Sequence, residues 1–145
     1  MTVVCYTDAS YRKEYDIAAC GYCVLVKGKM IKHEVLLVSE IGGPGQAEVY
    51  SIVQAAQFAF MMEGVKKILI HTDYKSAVDR KNRHRMNKKC ERYKELKETI
   101  EMITDFGVQI ELFFVKGHST CKHNNIVDKG CRHNLRKYIK DNAIG

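Results

Sequence analysis

"VVCYTDAS", residues 3–10, ends an apolar run in Thr7-Asp8, and "KKILIHTDYKS", residues 66–76, ends another in Thr72-Asp73. Both runs are short, rich in β-branched residues and closed by polar residues, so they read as buried strands. The second follows a helical segment, which makes it a parallel partner for the first. A carboxylate at the edge of a core costs free energy unless something positive sits against it. Two strands ending in acids therefore raise the question of what neutralises them.

Working outward, "IAACGYCVLV" (17–26) and "KMIKHEVLLVSE" (29–40) are strand-like and separated by Lys27-Gly28, a turn signal. With residues 3–8 they form an antiparallel meander. "GGPG" (42–45) breaks the chain. Val49, Ile52, Val53, Ala56 and Phe60 then recur at helical spacing, with Gly64 as the expected C-cap. Residues 67–72 are the next strand. Tyr93, Leu96, Ile100 and Ile103 predict a helix over roughly 88–105, closed by Gly107. "VQIELFFV" (108–115) is a fifth strand. A last helix begins near Asn124, with Val127, Cys131, Leu135 and Tyr138 on one face. The expected fold class is α/β, a five-stranded mixed sheet flanked by helices.

A chain of 145 residues is long enough for one domain, 1–145, with a sizeable core. No run approaches the roughly 18 apolar residues of a membrane span. The start of the chain lacks a basic region followed by an apolar stretch, so no signal peptide is expected and a cytoplasmic location is. Cys5, Cys20 and Cys23 lie in strand-like runs, where a thiol acts as a small hydrophobe, and no disulfide framework is expected. The net charge is +7, and residues 79–97 hold nine Lys and Arg against three acids. That block, with Arg83, Arg85, Lys88 and Lys89 at its centre, suits a polyanion as well as a solvated helix face.

Four acids stand at element boundaries: Asp8 and Asp73 at strand ends, Glu48 and Asp128 in the first turns of helices. Singly, each helix acid is explained by the helix dipole. Together, converging carboxylates demand cations, and oxygen-only ligands prefer Mg²⁺ or Mn²⁺ to Zn²⁺. Two such ions roughly 4 Å apart suit phosphodiester chemistry, one activating water and the other stabilising the leaving oxygen.

The motifs "YTDAS", "QAEVYS", "HTDYKS", "VKGHSTCKH" and "NNIVDKG" follow one another from residue 6 to residue 130. In that order they resemble ribonuclease H of the type-one branch: T-D-x-S, A-E, T-D, V-K-G-H and N-x-x-x-D. The resemblance implies a ribonuclease H-like fold and a metal-dependent endonuclease cutting the RNA strand of RNA–DNA hybrids. It implies two Mg²⁺ ions, replaceable by Mn²⁺, held by Asp8, Glu48, Asp73 and Asp128, and 5′-phosphate and 3′-hydroxyl products. His118 would assist the attacking water or product departure, and the protein would act as a monomer. Ser10, Gly45, Gln46 and Asn124 would contact the nucleic acid, with Asn124 alternatively supporting the loop of His118.

Three departures bear on this. Pro44 stands where the family often has an Asn that contacts the ribose 2′-hydroxyl, leaving backbone groups of Gly43, Gly45 and Gln46 for that task. Tyr74 replaces the usual Ser after the second T-D. The chain has no Trp, and residues 80–92 read as a reduced basic protrusion or a plain basic loop. The alternatives are another nuclease of the same fold, or a catalytically weak module binding hybrid or double-stranded RNA. Cys121, His123, Cys131 and His133 form a rival zinc set, but Cys131 and His133 are two apart on a helix and diverge.

Overall fold

The computed structural model describes residues 1–79, 91–116 and 121–142. Five strands form one sheet in the order β3-β2-β1-β4-β5. They are β1 (Thr2–Arg12), β2 (Ile17–Val26), β3 (Lys29–Ser39), β4 (Lys67–Thr72) and β5 (Gln109–Phe114). β1, β2 and β3 are an antiparallel meander, while β4 runs parallel to β1 and β5 parallel to β4. Among the described residues four helices flank the sheet: α1 (Pro44–Phe60), α2 (Lys75–Val78), α3 (Glu91–Asp105) and α4 (Lys122–Asp141). The mixed five-stranded sheet expected from the sequence is the observed one.

Burial explains the arrangement. β2 is buried along nearly its whole length because α1 and α4 both pack against it, so its continuous apolar run has two faces to fill. One core layer joins Val3, Cys5 and Val24 of the sheet to Val49, Ile52 and Val53 of α1 and Tyr93, Leu96 and Ile103 of α3. A second joins Ala19, Cys23 and Leu25 to Val127, Cys131 and Leu135 of α4. Burial of the Cys5, Cys20 and Cys23 thiols pushes their pKa values up, to about 12, about 12 and about 11, which suits uncharged packing groups.

Several boundaries differ from expectation. β1 runs on past Asp8 to Arg12, because β2 stays paired with it along the whole length. Its parallel pairing to β4 stops at Thr7 opposite Thr72. Asp8 thus lies where β1 loses one neighbour, not at the strand's end. α1 closes at Met61, and Gly64 (φ 82°) turns the chain three residues later. The short helix α2 and a 3₁₀ turn at Lys13–Tyr15 carry too few residues for a visible period. The expected helix over 88–105 is described from Glu91 on, and the last helix begins at Lys122. Among the described residues, no helix is long and apolar enough to cross a membrane.

Candidate metal centre

The loop before α1 is built around Asp16. Its Oδ1 accepts hydrogen bonds from the Gly42 amide (2.9 Å) and the Tyr11 hydroxyl (2.9 Å), and its carbonyl accepts one from the Ile41 amide. Pro44 opens the helix, where its fixed φ and missing N–H cost nothing. Gly45 follows because a Cβ there would stand 2.6 Å from the Tyr74 hydroxyl. The ring of Tyr74, just beyond Asp73, therefore seats against the first turn of α1. That close approach sets Glu48, one turn further on, beside Asp73.

A second close approach seats α4. Gly21 of β2 pairs with Asp8 of β1, and a Cβ at Gly21 would lie 2.6 Å from Cys131 Sγ and 3.1 Å from Val127 Cγ1. The Cys131 thiol reaches the Asp8 carbonyl at 3.6 Å, and the Ser51 hydroxyl of α1 donates to the same carbonyl at 2.9 Å. Both helix layers thus hold the backbone of Asp8. The Ala9 amide donates to Asp8 Oδ1 at 2.8 Å and fixes the carboxylate.

Ligand atoms of Asp8, Glu48 and Asp73 all lie within 4.8 Å of one another. Asp8 is 4% exposed. Glu48 Oε2 is buried and has no hydrogen-bond partner among the described residues. Burial, with the charge of Asp73 next, pushes the Asp8 carboxyl up to about 7. Burial also raises Glu48 well above the usual carboxylate range, helped by the charges of Asp8 and Asp73. An orphaned, buried carboxylate oxygen facing two further carboxylates fits a hard divalent cation, and nothing in the donor set suits a soft one.

Asp128 stands apart from this trio. It accepts from Arg132 Nη2 at 2.8 Å, one helical turn on, yet its charge still contributes to raising Asp8. Ser10 is half-buried on β1, and Gly45 and Gln46 lie in the first turn of α1. Asn124 is 1% exposed, and its Oδ1 is buried without a partner among the described residues, so the side chain faces the interior. That placement favours the support of neighbouring chain over contact with a ligand. His118, Arg83, Arg85, Lys88 and Lys89 lie outside the described residues. Of the basic block, Arg92 is described and sits 5.1 Å over the Tyr50 ring. The rival zinc set is not assembled: Cys131 is fully buried against the sheet while His133 is exposed.

One feature escaped the motifs. Tyr6, His71 and Phe113 occupy paired positions on β1, β4 and β5 and stack in a row, with ring centroids 4.6 and 5.3 Å apart. The row lies two residues behind Asp8 and Asp73 on their strands. Burial lowers the His71 pKa and so favours the neutral ring.

The raised Asp8 has a consequence for pH. Between the ordinary carboxylate range and about 7, the folded protein binds a proton that the unfolded chain has lost. This contribution to stability is full at low pH and disappears as pH rises through 7. In chelator, melting temperature should therefore fall from pH 5.5 to pH 8 more steeply for the wild type than for Asp8→Asn. The comparison cancels His71, whose lowered pKa works in the opposite direction. Identical slopes for the two proteins would refute the buried, crowded Asp8.

No curated protein matches the chain. The family model described as RNase H matches residues 1–136, nearly the whole length. With that match, a mixed sheet of the fitting order and an acidic trio suited to a divalent cation, the chain belongs to the RNase H family.

Proposed function

We propose that the protein is a type-one ribonuclease H, an endonuclease that hydrolyses the RNA strand of RNA–DNA hybrids to 5′-phosphate and 3′-hydroxyl ends. The observation that carries the proposal is the convergence of Asp8, Glu48 and Asp73 from three elements, with Glu48 Oε2 buried and unsatisfied. These residues would hold Mg²⁺, and Asp128 would join them once it parts from Arg132. Bound in a pair, Mg²⁺ or Mn²⁺ supplies charge stabilisation to the phosphodiester and acidity to water.

The chain's own residues do the rest. Ser51 and Ala9 keep Asp8 from turning away from the trio. Thr7 and Thr72, both fully buried, carry the two acids on strands held in parallel register. The Thr72 hydroxyl accepts from the Tyr74 amide at 3.1 Å and shapes the bend that presents Asp73. His118, following the Lys116-Gly117 pair, is assigned proton transfer to or from the water or the departing 3′-oxygen. Backbone groups of Gly45 and Gln46 are assigned the 2′-hydroxyl, since Pro44 offers no side-chain donor.

One observation favours a second reading, a nuclease of the same fold that accepts DNA: the helix start lacks a side-chain reader of the sugar at Pro44. Matched hybrid, double-stranded RNA and double-stranded DNA incubated with the protein and Mg²⁺ separate the two. The expected result is cleavage of the hybrid alone, in its RNA strand, and no cleavage in excess chelator. Equal cutting of DNA would replace the first reading by the second.

A further inference from the structure

The solvent face of α4 carries a stripe that neither the acidic trio nor the family motifs use. Lys129, Arg132, His133, Arg136, Lys137 and Lys140 are all exposed and recur at intervals of three, one, three, one and three. This is one face of an α-helix, opposite the buried Val127, Cys131 and Leu135. No acid interrupts the face between Lys129 and Lys140. Among the described residues, Arg132 is its one member in an ion pair, and its partner is Asp128. A solvated helix face ordinarily mixes signs, because i,i+4 pairs of opposite charge stabilise it and like charges at that spacing repel. Five Lys and Arg without acids between them cost helix stability unless a polyanion offsets the repulsion.

The stripe is continuous with the candidate centre. Lys129 follows Asp128 directly, and Arg132 is bonded to it. From Lys129 to Lys140 the helix advances about 16 Å at 1.5 Å per residue. A nucleic-acid duplex carries a negative charge for roughly every 1.7 Å of its axis, so about nine phosphates fall within that length. About half of these face the helix, so the near side of the duplex offers roughly as many anions as the stripe has cations.

We infer that the Lys129–Lys140 face of α4 is a second nucleic-acid contact, which grips the phosphodiester backbone of a substrate extending beyond the acidic trio. This inference rests on the proposed function for the identity of the substrate, but the contact itself reads charge and is indifferent to sequence and sugar. Arg132 links the two places. When a phosphate draws its guanidinium into the stripe, Asp128 is released towards Asp8.

The test compares two triple variants of equal net charge in an Asp8→Asn background, which keeps the hybrid intact. One is Arg136→Gln/Lys137→Gln/Lys140→Gln. The other, as control, is Lys13→Gln/Lys27→Gln/Lys66→Gln, all exposed and off α4. Affinity for a 20-base-pair hybrid and a 20-base-pair DNA is measured across a salt series, with thermal melts to confirm folding. The stripe variant should bind both duplexes on the order of 10- to 100-fold more weakly, with a salt slope shallower by roughly 0.9 per lost contact. The control should keep the parental slope. Arg136→Lys/Lys137→Arg/Lys140→Arg should restore it. Equal losses in stripe and control variants would reduce the effect to net charge and overturn the inference. So would an unchanged slope in the stripe variant, or stripe-dependent binding of anionic vesicles with duplex binding intact. The proposed function fails separately, if the wild-type protein binds these duplexes but does not cut the hybrid.

Discussion

Asp8→Asn should lower hybrid cleavage by roughly 10³-fold or more while making the metal-free protein more stable. The two effects have one cause. Asp8 is buried beside Glu48 and Asp73, and its carboxyl is pushed up to about 7 by that burial and by the charge of Asp73. At pH 8 the wild-type protein holds this charge against its environment. Asparagine keeps the shape, retains a carbonyl oxygen for the Ala9 amide, and removes the charge. The melting temperature in chelator should rise by several degrees, in line with about 1–2 kcal/mol for a domain of this size. A loss of 10³-fold corresponds to about 4 kcal/mol of transition-state stabilisation, the scale expected when a divalent-cation site loses one carboxylate ligand. The stabilising response to Mg²⁺ expected of the wild type should vanish as well. Full activity in the variant, or an undiminished Mg²⁺ response, would remove Asp8 from the centre.

How far the fold was legible depended on what each segment had to bury. β2 could be bounded to the residue, because "IAACGYCVLV" is apolar throughout and packs between two helices. β1 could not, since "ASYR" is too short and mixed in polarity to show its alternation, pairs with β2 alone, and only part-buries Ala9 and Tyr11 against Ala18, Cys20, Ile41 and Ala47. Four-residue α2 is too short to show a period. Of the centre, the acids themselves were legible as residues standing against the trend of their elements. Their grouping was legible only through the order of the motifs, and its physical basis was not, because it involves two close approaches. Gly45 admits the Tyr74 ring, and Gly21 admits α4, and a glycine in sequence does not announce its visitor. Asn124 reads as a surface residue by type and is buried in fact. The α4 stripe was hidden by its company, since the same stretch holds Asp128, Cys131 and His133, which invite a metal-site reading first.

Gly21 supplies the other large effect. It stands opposite Asp8 in the β1–β2 register, and α4 lies so close that a Cβ would meet Cys131 Sγ at 2.6 Å. Val127 Cγ1, at 3.1 Å, blocks the nearest escape. Gly21→Val adds two more carbons into that contact, and both facing side chains are fully buried. The helix has to lift, at a cost of about 3 kcal/mol, the upper part of the usual overpacking range. Asp128 follows Val127 directly, so the lift carries it away from Asp8. Displacement of a reacting constellation by about 1 Å can cost on the order of 10²-fold, and turnover measured well below the melting temperature should fall by that order. A pair of smaller changes separates crowding from general damage. Gly21→Ala and Cys131→Ala should each destabilise, the first by the clash and the second by a cavity and the lost contact with the Asp8 carbonyl. Combined, they should destabilise by less than the sum, by about 1 kcal/mol or more, because the alanine methyl occupies space the sulfur has left. Simple additivity of the two, together with wild-type stability and turnover in Gly21→Val, would show that α4 is not seated by this glycine and that Asp128 owes its place to something else.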